Sequence, residues 1–141
     1  MKHIIEKKVY YADTDAYGVV WHGTYLRWME QGRVEFCREI KLDLVELEKN
    51  DIVIPVTNIN VRYKSSAKLE DNILIETSIS KISPITITFL QIIKNKESNK
   101  VYTQAEIEVV AVNKEGRIYR RMPDMLKSAC EKTLEAQPCQ D

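Results

Sequence analysis

The chain has 141 residues, a length that suits one domain with a core of its own and no metal or disulfide to hold it. Lys and Arg total 21 and Asp and Glu total 21, so there is no basic excess to hold nucleic acid or an anionic membrane. The longest uncharged run, Ile82 to Ile93, is well short of the ~20 apolar residues of a membrane span, and the residues after Met1 lack the apolar stretch of a signal peptide.

In chain order, the loose alternation over residues 3–11 predicts a strand, and the turn formers of residues 12–18 predict a loop. From His22 the pattern becomes helical: Tyr25, Met29, Gly32, Phe36 and Ile40 share one face, with Arg27, Glu30, Arg38 and Glu39 opposite. Gly32 on the apolar face predicts close approach of helix to sheet. A short helix over residues 43–50 follows. β-Branched and alternating stretches then predict strands over 54–63, 73–80, 85–93 and 101–111, and a short last one over 117–121. Pro123 opens a closing helix, with Asp124 in its first turn and Gln137-Pro138 at its end. The order defines one α+β domain over residues 1–141, with consecutive antiparallel strands and the long helix laid across one sheet face.

Most catalytic equipment is missing. Three cysteines, Cys37, Cys130 and Cys139, cannot all pair, and no C-x-x-C occurs, which predicts free thiols in a reducing cytoplasm. Cys37, beside the apolar helix face, is expected to be a buried small hydrophobe. The only histidines are His3 and His22, at no zinc-ligand spacing. Glycine-rich phosphate loops and the G-x-S-x-G context of a serine hydrolase are absent as well. Carboxylates and backbone dipoles remain.

Residues 11–33 form a strand end, an acidic glycine-containing loop and a helix start. The first N–H groups of a helix carry partial positive charge and stabilise a developing oxyanion. Asp15, just before the helix, is placed to act on a carbonyl whose oxygen faces those groups, as nucleophile or general base. The commoner role of an Asp at this position is an N-cap or Asx turn, and spacing leaves both open. Asp13 is expected to be structural, a histidine at a helix start more often packs or caps than catalyses, and Tyr17, Trp21, Tyr25 and Trp28 are most economically core and interface residues.

The pattern Tyr11-x-Asp13-Thr14-Asp15-x-x-Gly18-Val19-Val20-x-His22-x-x-Tyr25-Leu26-Arg27-Trp28-x-Glu30 resembles the N-terminal signature of hotdog-fold acyl-CoA thioesterases. The type it resembles most is the 4-hydroxybenzoyl-CoA thioesterase family with its Tol–Pal-associated bacterial members. The likeness continues through Tyr63-x-x-Ser66-Ala67-x-x-x-Asp71, so it covers most of the chain.

The resemblance implies a hotdog fold, an antiparallel sheet wrapped around a long central helix. It implies hydrolysis of an acyl-CoA to free acid and CoA, with no cofactor beyond the CoA that the substrate carries. Asp15 takes the place of the family's catalytic carboxylate, and His22 the helix start whose N–H polarises the thioester carbonyl. The remaining contacts to substrate are assigned to Tyr17, Gly18, Val19, Tyr25, Ser65 and Ser66, the serines reaching the site from a partner subunit, and Trp28 to the acyl tunnel or dimer face. The stretch Lys81-Ile82-Ser83-Pro84-Ile85 lacks the basic cluster that relatives specific for 4-hydroxybenzoyl-CoA place there, which leaves Lys64, Lys68 and Lys81 as candidates for the CoA phosphates. A homodimer or homotetramer is expected, since the β run leaves sheet edges that invite pairing. The rival readings are a non-catalytic module that binds acyl-CoA or acyl carrier protein, and a thioesterase acting on acyl carrier protein.

Overall fold

The computed structural model describes residues 1–135. Strand β1 (Lys2–Lys8) turns alternate residues, among them Ile5, toward the interior. The strand expected over residues 3–11 stops at Lys8, and Tyr11–Asp13 form a single 3-10 turn. The Asp13 side chain causes this: its Oδ2 accepts the Tyr10 amide at 2.9 Å and folds the chain back on itself.

Helix α1 (His22–Glu39) buries Thr24, Tyr25, Trp28, Met29, Gly32, Phe36 and Cys37, close to the face read from periodicity. Helix α2 (Leu44–Lys49) is capped by Asp43, whose Oδ1 accepts the Val45 amide at 2.8 Å. Strands β2 (Val56–Tyr63), β3 (Asn72–Ile82), β4 (Thr86–Asn95) and β5 (Val101–Val110) complete a five-stranded sheet in the order β1-β3-β4-β5-β2, antiparallel at every pairing. Helix α3 (Asp124–Glu135) buries Leu126, Cys130 and Thr133, one residue per turn, and packs against β3. Gln137, Pro138 and Cys139 lie outside the described residues.

Two expectations change. Neighbours in sequence are neighbours in space from β3 to β5, but β2 pairs with β5 at one edge while β3 lies beside β1 near the other. Residues 64–71 therefore cross one end of the sheet. Residues 117–121 do not form a strand: Ile118 makes a single bridge to Val112, and the chain then turns away so that the Met122 amide reaches the Pro84 carbonyl at 3.1 Å.

Helix α1 crosses the inner sheet face at a point set by Gly32. A Cβ there would meet Thr77 Oγ1 at 2.7 Å, Gln91 Nε2 at 2.9 Å and Ile75 Cγ2 at 3.0 Å. Gln91 is fully buried beneath it, donates from Nε2 to the Met29 carbonyl at 2.8 Å and to Thr77 Oγ1 at 2.9 Å, and accepts Arg33 Nη1 at 2.9 Å. A polar clasp thus joins helix to sheet, with Phe36 packed edge-on to Phe89, ring centroids 5.8 Å apart, one turn further along.

The two sheet edges differ. β1 carries Lys2, Lys7 and Lys8 in a short strand, whereas β2 has Arg62 as its only charge and leaves Val56, Ile59 and Tyr63 exposed.

Candidate active site

The loop between β1 and α1 is held at both ends. Thr14 and Val20 form a bridge, the Asp15 amide donates to the Val19 carbonyl at 2.8 Å, and the Gly18 amide returns to the Asp15 carbonyl at 3.0 Å. Gly18 closes the turn with φ +79°, a conformation side chains rarely adopt. The Asp15 Oδ1 accepts the Tyr17 amide at 2.8 Å, an Asx turn. Asp15 is therefore a turn former but not the cap of α1, whose cap residue is Trp21, with no side-chain acceptor.

That missing cap matters chemically. Of the four N–H groups that begin α1, the Trp21 amide donates to the Asp13 carbonyl and the Thr24 amide to the Trp21 carbonyl, each at 2.9 Å. The amides of His22 and Gly23 find no partner among the described residues. Asp13 has the structural role expected of it, since its carbonyl also accepts Thr24 Oγ1 at 3.1 Å.

The crossing segment 64–71 supplies the opposite wall. The Val20 amide donates to the Ala67 carbonyl at 2.9 Å, and the Ala67 amide donates to the buried Tyr25 hydroxyl at 3.0 Å. Burial pushes the Tyr25 phenol above its ordinary pKa, so it stays protonated. Ser65 Oγ donates to the Val101 carbonyl at 2.7 Å, and Tyr63 at the end of β2 donates its hydroxyl to the His22 carbonyl at 3.0 Å.

These parts enclose a cavity of about 370 Å³ lined by Asp15, Val19, Val20, His22, Tyr25, Tyr63, Lys64, Ser65 and Ser66. Asp15, Val19, His22, Tyr25, Ser65 and Ser66, named from the sequence, come together here, and the serines line the cavity of their own chain. Tyr17 and Gly18 are not part of its wall: the Gly18 turn leaves Tyr17 91% exposed, outside the core proposed for it. Trp21, also expected to be buried, is 49% exposed, and its ring lies over Gly23. Tyr25 and Trp28 are core residues as expected, but Trp28 borders a separate groove of about 650 Å³ between β1 and α1. Of the candidate phosphate lysines, Lys64 is in the wall and Lys68 is bridged to Val19 at its rim. Lys81 is paired with Thr88 near the other end of β3, roughly 30 Å along the strand from Asn72 by the usual rise per residue. Tyr63 and Val20 received no role from the sequence; Tyr63 belongs to the motif shared with the family, but only the β2–β5 register brings it beneath the start of α1.

A single long helix cradled by an antiparallel sheet is the hotdog fold. Among solved structures, the DHNA-CoA thioesterase of Staphylococcus aureus superposes with a TM-score of 0.85 at 28% identity, over 95% of this chain and 91% of that one. The acyl-CoA thioester hydrolase YbgC of Escherichia coli is 35% identical over 106 residues, 75% of this chain and 78% of the relative. The putative esterase sll0410 of Synechocystis is 33% identical over 115 residues, 81% and 69% of the two chains. The family model described as the thioesterase-like superfamily matches residues 9–130, and the chain belongs to that superfamily. The enzyme class expected from the sequence, a thioester hydrolase, is thereby met at the level of the family.

Proposed function

We propose that the protein hydrolyses acyl-CoA thioesters in the cytoplasm at the cavity between Asp15 and the start of α1. One observation carries this reading: a carboxylate with an oxygen free of the Asx turn lines the same cavity as a helix start that has two unpartnered amides. Asp15 acts on the carbonyl carbon, as base for a water or as nucleophile through a mixed anhydride, and the helix amides stabilise the oxygen as charge develops on it. A thioester is already activated, so this reading calls on no metal or redox group. Relatives named for acyl-CoA hydrolysis support the choice of CoA over acyl carrier protein. Lys64 in the cavity wall and Lys68, bridged to the wall residue Val19, are the cations this reading offers to the nucleotide phosphates.

The working unit is a homodimer joined along β2. Two copies of β1 paired across a twofold at Ile5 would set Lys2 against Lys8, like charges face to face. Two copies of β2 paired about Ile59 and Asn60 oppose no like charges and cover Val56, Ile59 and Tyr63.

The test is Asp15→Asn, assayed by thiol release from a panel of aliphatic and aromatic acyl-CoAs. Asn keeps a side-chain oxygen for the Tyr17 amide, so the loop and melting temperature hold while turnover falls more than ~100-fold. Full activity in Asp15→Asn overturns the mechanism. Binding of acyl-CoA with no thiol release by the wild type points instead to a binding module.

A further inference from the structure

We propose that Tyr63 is a positioning residue of this site, fixing and polarising the first peptide of α1 through its hydroxyl. The proposal rests on the thioesterase reading above. Tyr63 ends β2, on the far edge of the sheet from β1, yet its hydroxyl donates to the His22 carbonyl at 3.0 Å. Its ring meets Tyr25 edge-on at 5.8 Å between centroids and His22 at 6.5 Å. It is the contact by which the β2 edge grips the start of the helix.

The accepting carbonyl belongs to the peptide that joins His22 to Gly23, and the other end of that peptide is the Gly23 N–H. A hydrogen bond to a carbonyl draws electron density toward its oxygen and makes the N–H of the same peptide a stronger donor. At a helix start that N–H points out of the open end, and the Gly23 amide is one of the two left without a partner. Tyr63 therefore strengthens a donor without touching the substrate carbonyl itself. Trp21 packs beside the same residue: a Cβ on Gly23 would meet its ring at 2.3 Å, so only glycine leaves room for the indole there.

The effect belongs to the transition state, where the carbonyl oxygen becomes an anion. Tyr63→Phe keeps the ring and its packing and removes only the hydroxyl, which lies in a half-exposed residue. We expect kcat to fall about tenfold, the scale of one hydrogen bond, with KM changed by less than about twofold and the melting temperature held. In the free labelled variant the Gly23 amide proton and the His22 carbonyl carbon both move upfield in NMR spectra, as the carbonyl loses its donor. A merely structural hydroxyl would shift the melting temperature and leave the kcat-to-KM split untouched. A wild type that releases no thiol from any acyl-CoA overturns the thioesterase reading and the proposal with it. An active wild type whose Tyr63→Phe variant keeps its kcat, or whose Gly23 amide does not move, overturns the proposal alone.

Discussion

At the scale of single residues, Asp15 has a turn-forming role that is compatible with the catalytic one proposed for it. One oxygen shapes the loop by accepting the Tyr17 amide, and the other is left for chemistry. Spacing in the sequence left those roles as alternatives; the structure shows the turn-forming one on Oδ1, and the proposed chemistry would fall to the other oxygen. The cysteines behave more simply. Cys37 and Cys130 are buried, and burial pushes their thiols up to about 11 and about 12. At pH 8 only about a thousandth of Cys37 is thiolate, so in a Cys139→Ser variant neither remaining cysteine reacts with a disulfide reagent until denaturant is added. Because the folded pKa of Cys37 lies above the ordinary thiol value of 9.0, its contribution to stability is complete below pH 9. It is lost as pH rises toward about 11, and thermal melting should drop across that window.

At the scale of elements, the crossing of α1 over the sheet is the decisive contact. Gly32 was legible in the sequence as a point of close approach because a glycine on an apolar helix face has few other reasons to be there. Its partner was not legible: Gln91 sits in a β-branched run where its neighbours set the pattern, and only the fold shows it clasped to Met29 and Thr77. Gly32→Ala should lower stability by up to about 2 kcal/mol, since overpacking against Thr77, Gln91 and Ile75 costs about 1–3 kcal/mol and helix propensity returns only ~1 kcal/mol. Chemical denaturation checks this, and a more stable Gly32→Ala would show that the sheet yields at that point. Period-two alternation located β3 and β5, a β-branched run located β4, and helical spacing located α1 and α3. What alternation could not convey was which strand lies beside which, because pairing of β2 with β5 is decided by contacts far apart in sequence. The same limit hid Tyr63, whose importance arises from a pairing and not from its own segment.

At the scale of the whole molecule, net neutrality conceals an uneven distribution. The lysines of β1 protect one edge, and the nearly uncharged β2 leaves the other open. The site lies next to the open edge, since Tyr63 is both the last residue of β2 and part of the cavity wall. Ile59→Lys should therefore convert a dimer to a monomer in light scattering, and by loosening β2 it should reduce activity as well, although Ile59 is not among the residues that line the cavity. A wild type that is already monomeric at micromolar concentration would count against pairing along β2.

The inequality of the edges has a consequence for how growth ends. A ribbon with two sticky margins has no natural length; each copy added exposes the next margin, and the product is a fibre. A chain with one sticky margin and one repellent margin is self-limiting. The proposed association along β2 would use up the weakly charged edge, and both outer margins of its product would bear lysines. In the dimer proposed along β2, the charges on β1 would act as stop signals, keeping the tenth strand of the joined sheet from recruiting an eleventh.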